Sequence, residues 1–130
     1  MPAGELTVPV STHPSGLWVG IYVDIGARVR LFMVLDTGSP VSALSPSIAQ
    51  HLHSRKLLQA DPAPGYFRPA PLTAAQAPGH PPLPDLAVRV LPRLTRLRID
   101  GLLGLDFFRR FDRVCFQLSA MRLELTHAGA

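Results

Sequence analysis

Apolar and polar residues alternate along much of this chain. From 17 to 25 the odd positions Leu17, Val19, Ile21, Val23 and Ile25 are apolar, while the even ones are mixed. That period of two predicts a strand. Gly26-Ala27 follows as a hairpin turn. The return strand carries Val29, Leu31, Met33 and Leu35 on one face. Its other face begins with Arg28 and Arg30 and changes to Phe32 and Val34, so the strand starts at the surface and goes deeper. It ends in a continuous apolar run, Leu31-Phe32-Met33-Val34-Leu35, which suits a strand buried on both faces. The run stops at one carboxylate, followed by a hydroxyl, a glycine and a second hydroxyl: Asp36-Thr37-Gly38-Ser39.

The same reading places the remaining elements. Residues 6–11 predict a short strand that Pro9 confines to an edge or an end. His13-Pro14-Ser15-Gly16 is a turn. Residues 41–44 predict a short strand. Ser45-Pro46 then opens a helix, with serine as its cap and proline in its first position. Ile48 and Leu52 give that helix an apolar side. Two short strands are expected at 85–91 and 94–99, around Pro92. A second short helix is expected at 105–111, with Asp106 near its start and Arg109-Arg110 near its end, as the helix dipole favours. Val114, Phe116 and Leu118, then Met121, Leu123 and Leu125, alternate as a closing hairpin with Ser119-Ala120 near its turn. The chain contains no internal repeat.

Residues 60–84 break this rhythm. Eight of the fourteen prolines lie there, together with Gly65-Tyr66-Phe67 and Gly79-His80. Such long segments are usually lids, binding loops or disordered stretches, and composition does not choose among them.

Composition narrows the picture further. A length of 130 residues fits one domain with a real core, since 47% of residues are hydrophobic. The net charge is +4, and twelve of the thirteen basic residues are arginine, Lys56 being the exception. Those arginines are scattered without aromatic interleaving, which fits an ordinary solvated face better than a nucleic-acid surface. The arginine bias itself points to a GC-rich genome, as in many bacteria. One cysteine, Cys115, excludes an intrachain disulfide and, lying in an apolar stretch, is expected to be a small core residue. No signal peptide or membrane span is visible, because Asp24, Arg28 and Arg30 interrupt the most apolar stretch. The expected location is the cytoplasm, with no membrane or nucleic-acid partner. His51 and His53, two apart, would face different directions on a helix and give no metal site. No cofactor is expected.

Candidate chemistry concentrates at Asp36. A buried carboxylate is costly unless it is hydrogen-bonded. Gly38 has no side chain, so its N–H can come close to the acid, and Thr37 and Ser39 each carry a hydroxyl donor. Asp and Gly are also common turn formers, so these residues alone equally allow a plain turn that ends a strand.

A second motif gives that choice a direction. About 65 residues after Asp36-Thr37-Gly38, Leu102-Leu103-Gly104-Leu105-Asp106 leads into the second helix. The two elements together resemble the retroviral-protease-like, or retropepsin-like, aspartic peptidases. The likeness is greatest to their cellular and bacterial members, which include the protease-like domain of the ubiquitin-shuttle proteins. It covers roughly 17–58 and 86–126.

The resemblance implies a mostly-β chain folded as a closed acid-protease-type barrel with two short helices. It would be a single domain over 1–130, with the proline-rich segment at about 60–84 inserted in the flap region. The strand bearing Leu102-Leu103-Gly104 would cross beside the Asp36 loop and wall it. By the same resemblance each chain holds half an active site. Asp36 would meet Asp36 of a second chain and act as catalytic acid and base in an endopeptidase. Thr37 would bond the partner's backbone, while Gly38 N–H and Ser39 Oγ would hold the carboxylate. Tyr66, Phe67, Leu102 and Leu103 would contact an extended, mostly apolar peptide or protein substrate. Two departures from the family pattern stand out. Prolines occupy the flap region, where a hairpin needs its N–H groups, and Pro40 follows the motif directly. They leave an alternative: a catalytically inactive dimeric peptide-binding module with the same fold.

Overall fold

A computed structural model describes residues 4–127. Strand β1 (Gly4–Pro9) pairs antiparallel with the closing strand, setting Leu6 opposite Leu125 and Val8 opposite Leu123. The strand expected over 6–11 is in fact divided. Proline offers no ladder N–H, so pairing stops at Pro9, and the chain then crosses to a second sheet as β2 (Ser11–Thr12). Between the two, Val10 N–H donates to the Met121 carbonyl at 2.9 Å.

Strands β3 (Val19–Ile25) and β4 (Val29–Leu35) form the expected hairpin. Three residues connect them; Gly26 and Ala27 both have positive φ, +58° and +56°, and Arg28 N–H closes the turn on the Ile25 carbonyl at 3.1 Å. Leu17, expected at the start of β3, instead lies exposed within the turn that His13 N–H closes onto the Trp18 carbonyl. Next come β5 (Ala43–Leu44) and helix α1 (Pro46–Ser54), whose cap Ser45 accepts from Ile48 N–H.

The proline-rich segment is not a structureless loop. It opens as the hairpin β6 (Leu58–Ala60) and β7 (Phe67–Pro69), and β8 (Leu72–Ala74) then adds to β3. Most of its prolines fall at the hairpin tip or between strands, where their missing N–H costs no ladder bond.

After β9 (Arg89–Val90) the chain departs from expectation. The predicted strand at 94–99 is a helix, α2 (Arg93–Leu97). Pro92 sits at φ −56° and ψ −31°, already helical. Leu91, Leu94 and Leu97 recur every three residues, a helical spacing that overrides the alternation read there. Arg98, at φ +57°, stops the helix. Then follow β10 (Gly101–Leu103) and α3 (Leu105–Phe108), and last β11 (Arg113–Gln117) and β12 (Arg122–His127). Three helices, rather than two, lie among the described residues.

Among the described residues the strands make three sheets, ordered β1-β12-β11, β2-β3-β4-β10-β5-β9 with β8 beside β3, and β6-β7. None of these orders returns to its first strand, so the pairing alone does not show the expected closed barrel. Opposite faces of the largest sheet bury different cores. Ile21, Val23, Leu31, Met33, Leu44 and Leu103 join the main core with Phe107, Leu123 and Leu125. Phe32, Val34, Ala43 and Leu102 join a smaller core closed by Leu94 and Ile99. Strand β4, buried on both faces, therefore carries Asp36 out of the centre of the molecule. Cys115 is half-buried on β11, rather than in a core, and its thiol is free.

Candidate active site

Asp36 stands one residue beyond β4. Its N–H donates to the Leu103 carbonyl at 2.9 Å, extending the parallel β4–β10 pairing that sets Leu35 beside Leu103. The backbone then turns sharply, with Ser39 N–H donating to the Asp36 carbonyl at 3.1 Å. The turn brings Gly38 N–H to 3.0 Å from Asp36 Oδ1. A Cβ on Gly38 would lie 3.2 Å from that oxygen, so glycine is the residue that lets the backbone reach the acid with room to spare. Asp36 is half-buried, while Thr37 and Gly38 are exposed. The expected strand crossing beside the loop is thus present, and so is the glycine contact.

Ser39 has a different partner from the one expected. Its hydroxyl donates to the Val41 carbonyl at 2.7 Å, closing the turn on itself rather than holding the carboxylate. Its buried position explains this, since a hydroxyl there must find the nearest acceptor. Pro40 is exposed just beyond the turn.

The remaining named residues lie at varied distances in the fold. Leu102 and Leu103 are 3% and 1% exposed and pack in the two cores, so they back the Asp36 loop from inside and present no side-chain surface to a substrate. Phe67 is half-buried, exchanges two backbone bonds of 2.8 Å with Val88 and packs against the main core. Tyr66 stands at the hairpin tip with the Arg89 guanidinium 5.4 Å above its ring. Beside the acid, Leu35, Thr37, Val19, Phe108, Val114 and Phe116, with Leu123, line an apolar cleft of about 410 Å³.

Ser42, which local pattern did not single out, and Asp106, expected only as a helix-dipole residue, prove central to this loop. Ser42, fully buried, donates its N–H and its hydroxyl to the two oxygens of Asp106, at 2.9 and 2.7 Å. Each lies near a motif, but no spacing rule tells that residues sixty-four apart will meet.

Four of the other aspartates are engaged. Asp106 also accepts from Phe107 N–H at 2.8 Å, and Asp100 accepts from Phe32 N–H at 2.9 Å. Asp24 pairs with Arg30 and Asp61 with Arg68, each at 2.9 Å. No cluster of metal-binding side chains is found among the described residues. Nor is any helix among them long and apolar enough to cross a membrane.

No protein-family model matches the chain, and neither does any curated protein. Solved structures do match. A retropepsin-like aspartic protease from Rickettsia conorii superposes with a TM-score of 0.58 at 18% identity, over 98% of this chain and 94% of that one. The retroviral protease-like domain of Ddi1 from Leishmania major superposes with a TM-score of 0.51 at 16% identity, over 78% and 84%. At these identities the likeness is one of architecture. Nearly the whole chain takes part in it, and its strand-end aspartate, glycine turn and crossing β10 strand lie within it: this chain has the retropepsin-like fold.

Proposed function

We propose that the protein is an aspartic endopeptidase that works as a homodimer. The observation that carries this reading is the setting of Asp36. It is a half-buried carboxylate at the end of a doubly buried strand, held by a glycine N–H, in a retropepsin-like fold. Peptide hydrolysis of this type needs two carboxylates that share one proton, because like charges about 3 Å apart resist ionising together. One acts as base on the attacking water, and the other, protonated, polarises the scissile carbonyl. Asp24, Asp61, Asp100 and Asp106 are each engaged elsewhere, which favours Asp36 of a second copy as the partner.

In that arrangement the two Asp36 loops face each other across a two-fold axis. Thr37, exposed beside the acid, is the residue we assign to bonding the partner's backbone. Gly38 orients the carboxylate, and Ser39 stiffens its turn. An extended apolar peptide is the proposed substrate, with Tyr66 and Phe67 on the β6–β7 hairpin as its flap-side contacts.

One observation favours a second reading, an inactive dimeric peptide-binding module. The hairpin tip is held away from free movement: Tyr66 lies under Arg89, and Phe67 is paired to Val88. Cleavage of a diverse peptide library from pH 4 to 7, wild type beside Asp36→Asn, separates the two. The peptidase reading expects products from wild type alone. Binding without products from either chain would establish the module instead.

A further inference from the structure

The loop that carries Asp36 is fastened at both ends to the β10–α3 corner. At its start the fastening is main chain. Asp36 N–H donates to the Leu103 carbonyl at 2.9 Å, and Leu105 N–H donates to the Ser39 carbonyl at 2.8 Å. At its far end it is side chain. Asp106 Oδ1 accepts from the Ser42 hydroxyl at 2.7 Å, and Oδ2 accepts from Ser42 N–H at 2.9 Å. The Ser42 oxygen in turn accepts from Gly104 N–H at 2.9 Å. Asp106 Oδ1 also takes Phe107 N–H at 2.8 Å, which fixes the carboxylate against its own helix.

From this we propose that Asp106 is a positioning residue for the Asp36 carboxylate, acting through Ser42. The inference rests on the peptidase reading and deepens it. Ser42 is fully buried, so its hydroxyl must give its proton to one group and a lone pair to another. Asp106 takes the proton and Gly104 uses the lone pair. The loop from 36 to 42 is thereby a closed span with no free end, and Gly38 N–H meets Asp36 at its middle.

A carboxylate suits this post better than an amide. Three donors converge on its two oxygens, and an ionised acid accepts all of them while offering no competing N–H. Catalysis by a shared proton requires the acid to be held to within a fraction of an ångström. Loosening the far end of the span lets the acid wander without removing any group that touches the substrate.

The test compares Asp106→Ala, Asp106→Asn and Ser42→Ala with wild type, each first checked for fold by circular dichroism and for dimer mass by sedimentation. Asp106→Ala is expected to lower kcat by about 10²-fold with KM nearly unchanged. Asp106→Asn, which keeps one acceptor, is expected to recover part of that loss. Ser42→Ala is expected to fall in the same direction, and the double variant no further than the worse single, because both break one linkage. Should Asp106→Ala fail to fold, Asp106→Asn and Ser42→Ala carry the same comparison. Unchanged kcat in folded variants with only a lower Tm would overturn the proposal, leaving Asp106 as a structural residue. If wild type cleaves nothing, the peptidase reading is what has failed. Hydrogen exchange then decides the inference by itself. Faster exchange at Gly38 and Ser39 in Asp106→Ala upholds the clasp, and unchanged exchange there rejects it.

Discussion

The Asp36 loop and the β6–β7 hairpin are both short segments, yet they are held in different ways. The loop is tied by bonds between residues more than sixty positions apart, made by a buried serine and an aspartate that spends both oxygens on it. The hairpin is tied within itself and, by main chain alone, to Val88, with which Phe67 exchanges two bonds of 2.8 Å. Asp61 N–H donates to the Tyr66 carbonyl at 3.0 Å, Asp61 accepts from Ala63 N–H at 3.0 Å, and Arg68 pairs with Asp61 at the surface. Local bonds set the shape of the tip. Long-range buried bonds fix a position relative to the rest of the molecule, because breaking one strands a polar group away from water at a cost of about 1–3 kcal/mol. The acid loop is thus clasped by buried side chains, and the hairpin is held by main-chain pairing and an ion pair.

The strongest way to break this contrast is at the acid itself. Asp36→Asn is nearly isosteric and keeps the Gly38 bond, so the dimer should form normally. Turnover should fall by about 10²- to 10⁴-fold or vanish, measured by product release from a cleaved library peptide. Retained turnover would remove Asp36 from the mechanism.

The same substitution in each region gives the next comparison. A Cβ on Gly104 would meet the Ser39 and Val41 carbonyl oxygens, each at 2.6 Å. Gly104→Ala must push the loop off β10, and we expect about 1–3 kcal/mol of lost stability together with lost activity. At the hairpin tip, Gly65 has φ +84° and its nearest neighbour is the end of the Arg89 side chain, at 3.8 Å. Gly65→Ala costs only the backbone strain, about 1–2 kcal/mol, and should leave kcat intact. Denaturant melts and steady-state kinetics on both variants check the pair. Equal loss of kcat at the two sites would erase the distinction between them.

A smaller effect is expected from Tyr66→Ala. It frees Arg89 and alters the hairpin tip, so KM should rise more than kcat falls. The smallest effect concerns pH. The Ala63 N–H above all, and the Arg68 guanidinium in addition, hold the Asp61 carboxyl below its ordinary value, against an opposing push from burial. A depressed folded value means that the contribution to stability is fully present above the unfolded carboxylate range, near pH 4. It fades as pH falls through the lower folded value. Hairpin amides, compared with their intrinsic exchange rates, should therefore lose protection only at acid pH in wild type, and at every pH in Asp61→Asn.

Much of this architecture was legible in the sequence because it rests on local rules. The β3–β4 hairpin followed from alternation and Gly26-Ala27, and α1 from Ser45-Pro46. The apolar run into Asp36 and the Leu102-Leu103-Gly104 element announced two strands that do lie side by side. What stayed hidden depends on which distant residues meet. The α2 helix was read as a strand, because Leu94 and Ile99 satisfy either reading until Pro92 is seen in its helical setting. Ser39 was assigned to the acid when Val41 was the nearer acceptor. Leu102 and Leu103 looked available to a substrate, since a short apolar pair does not announce that both faces of its strand are covered. Asp106 looked like a helix-dipole residue, and its bond to Ser42 was invisible at a separation of sixty-four.

The central claim is that one working site takes an Asp36 from each of two chains. Co-expression of wild type with Asp36→Asn in graded ratios, at constant total protein, tests it directly through the rate of peptide cleavage. If both acids are needed, only wild-type pairs are active, and the rate should fall as the square of the wild-type fraction. A rate that falls in direct proportion to that fraction would mean that each chain works alone, and would contradict the account.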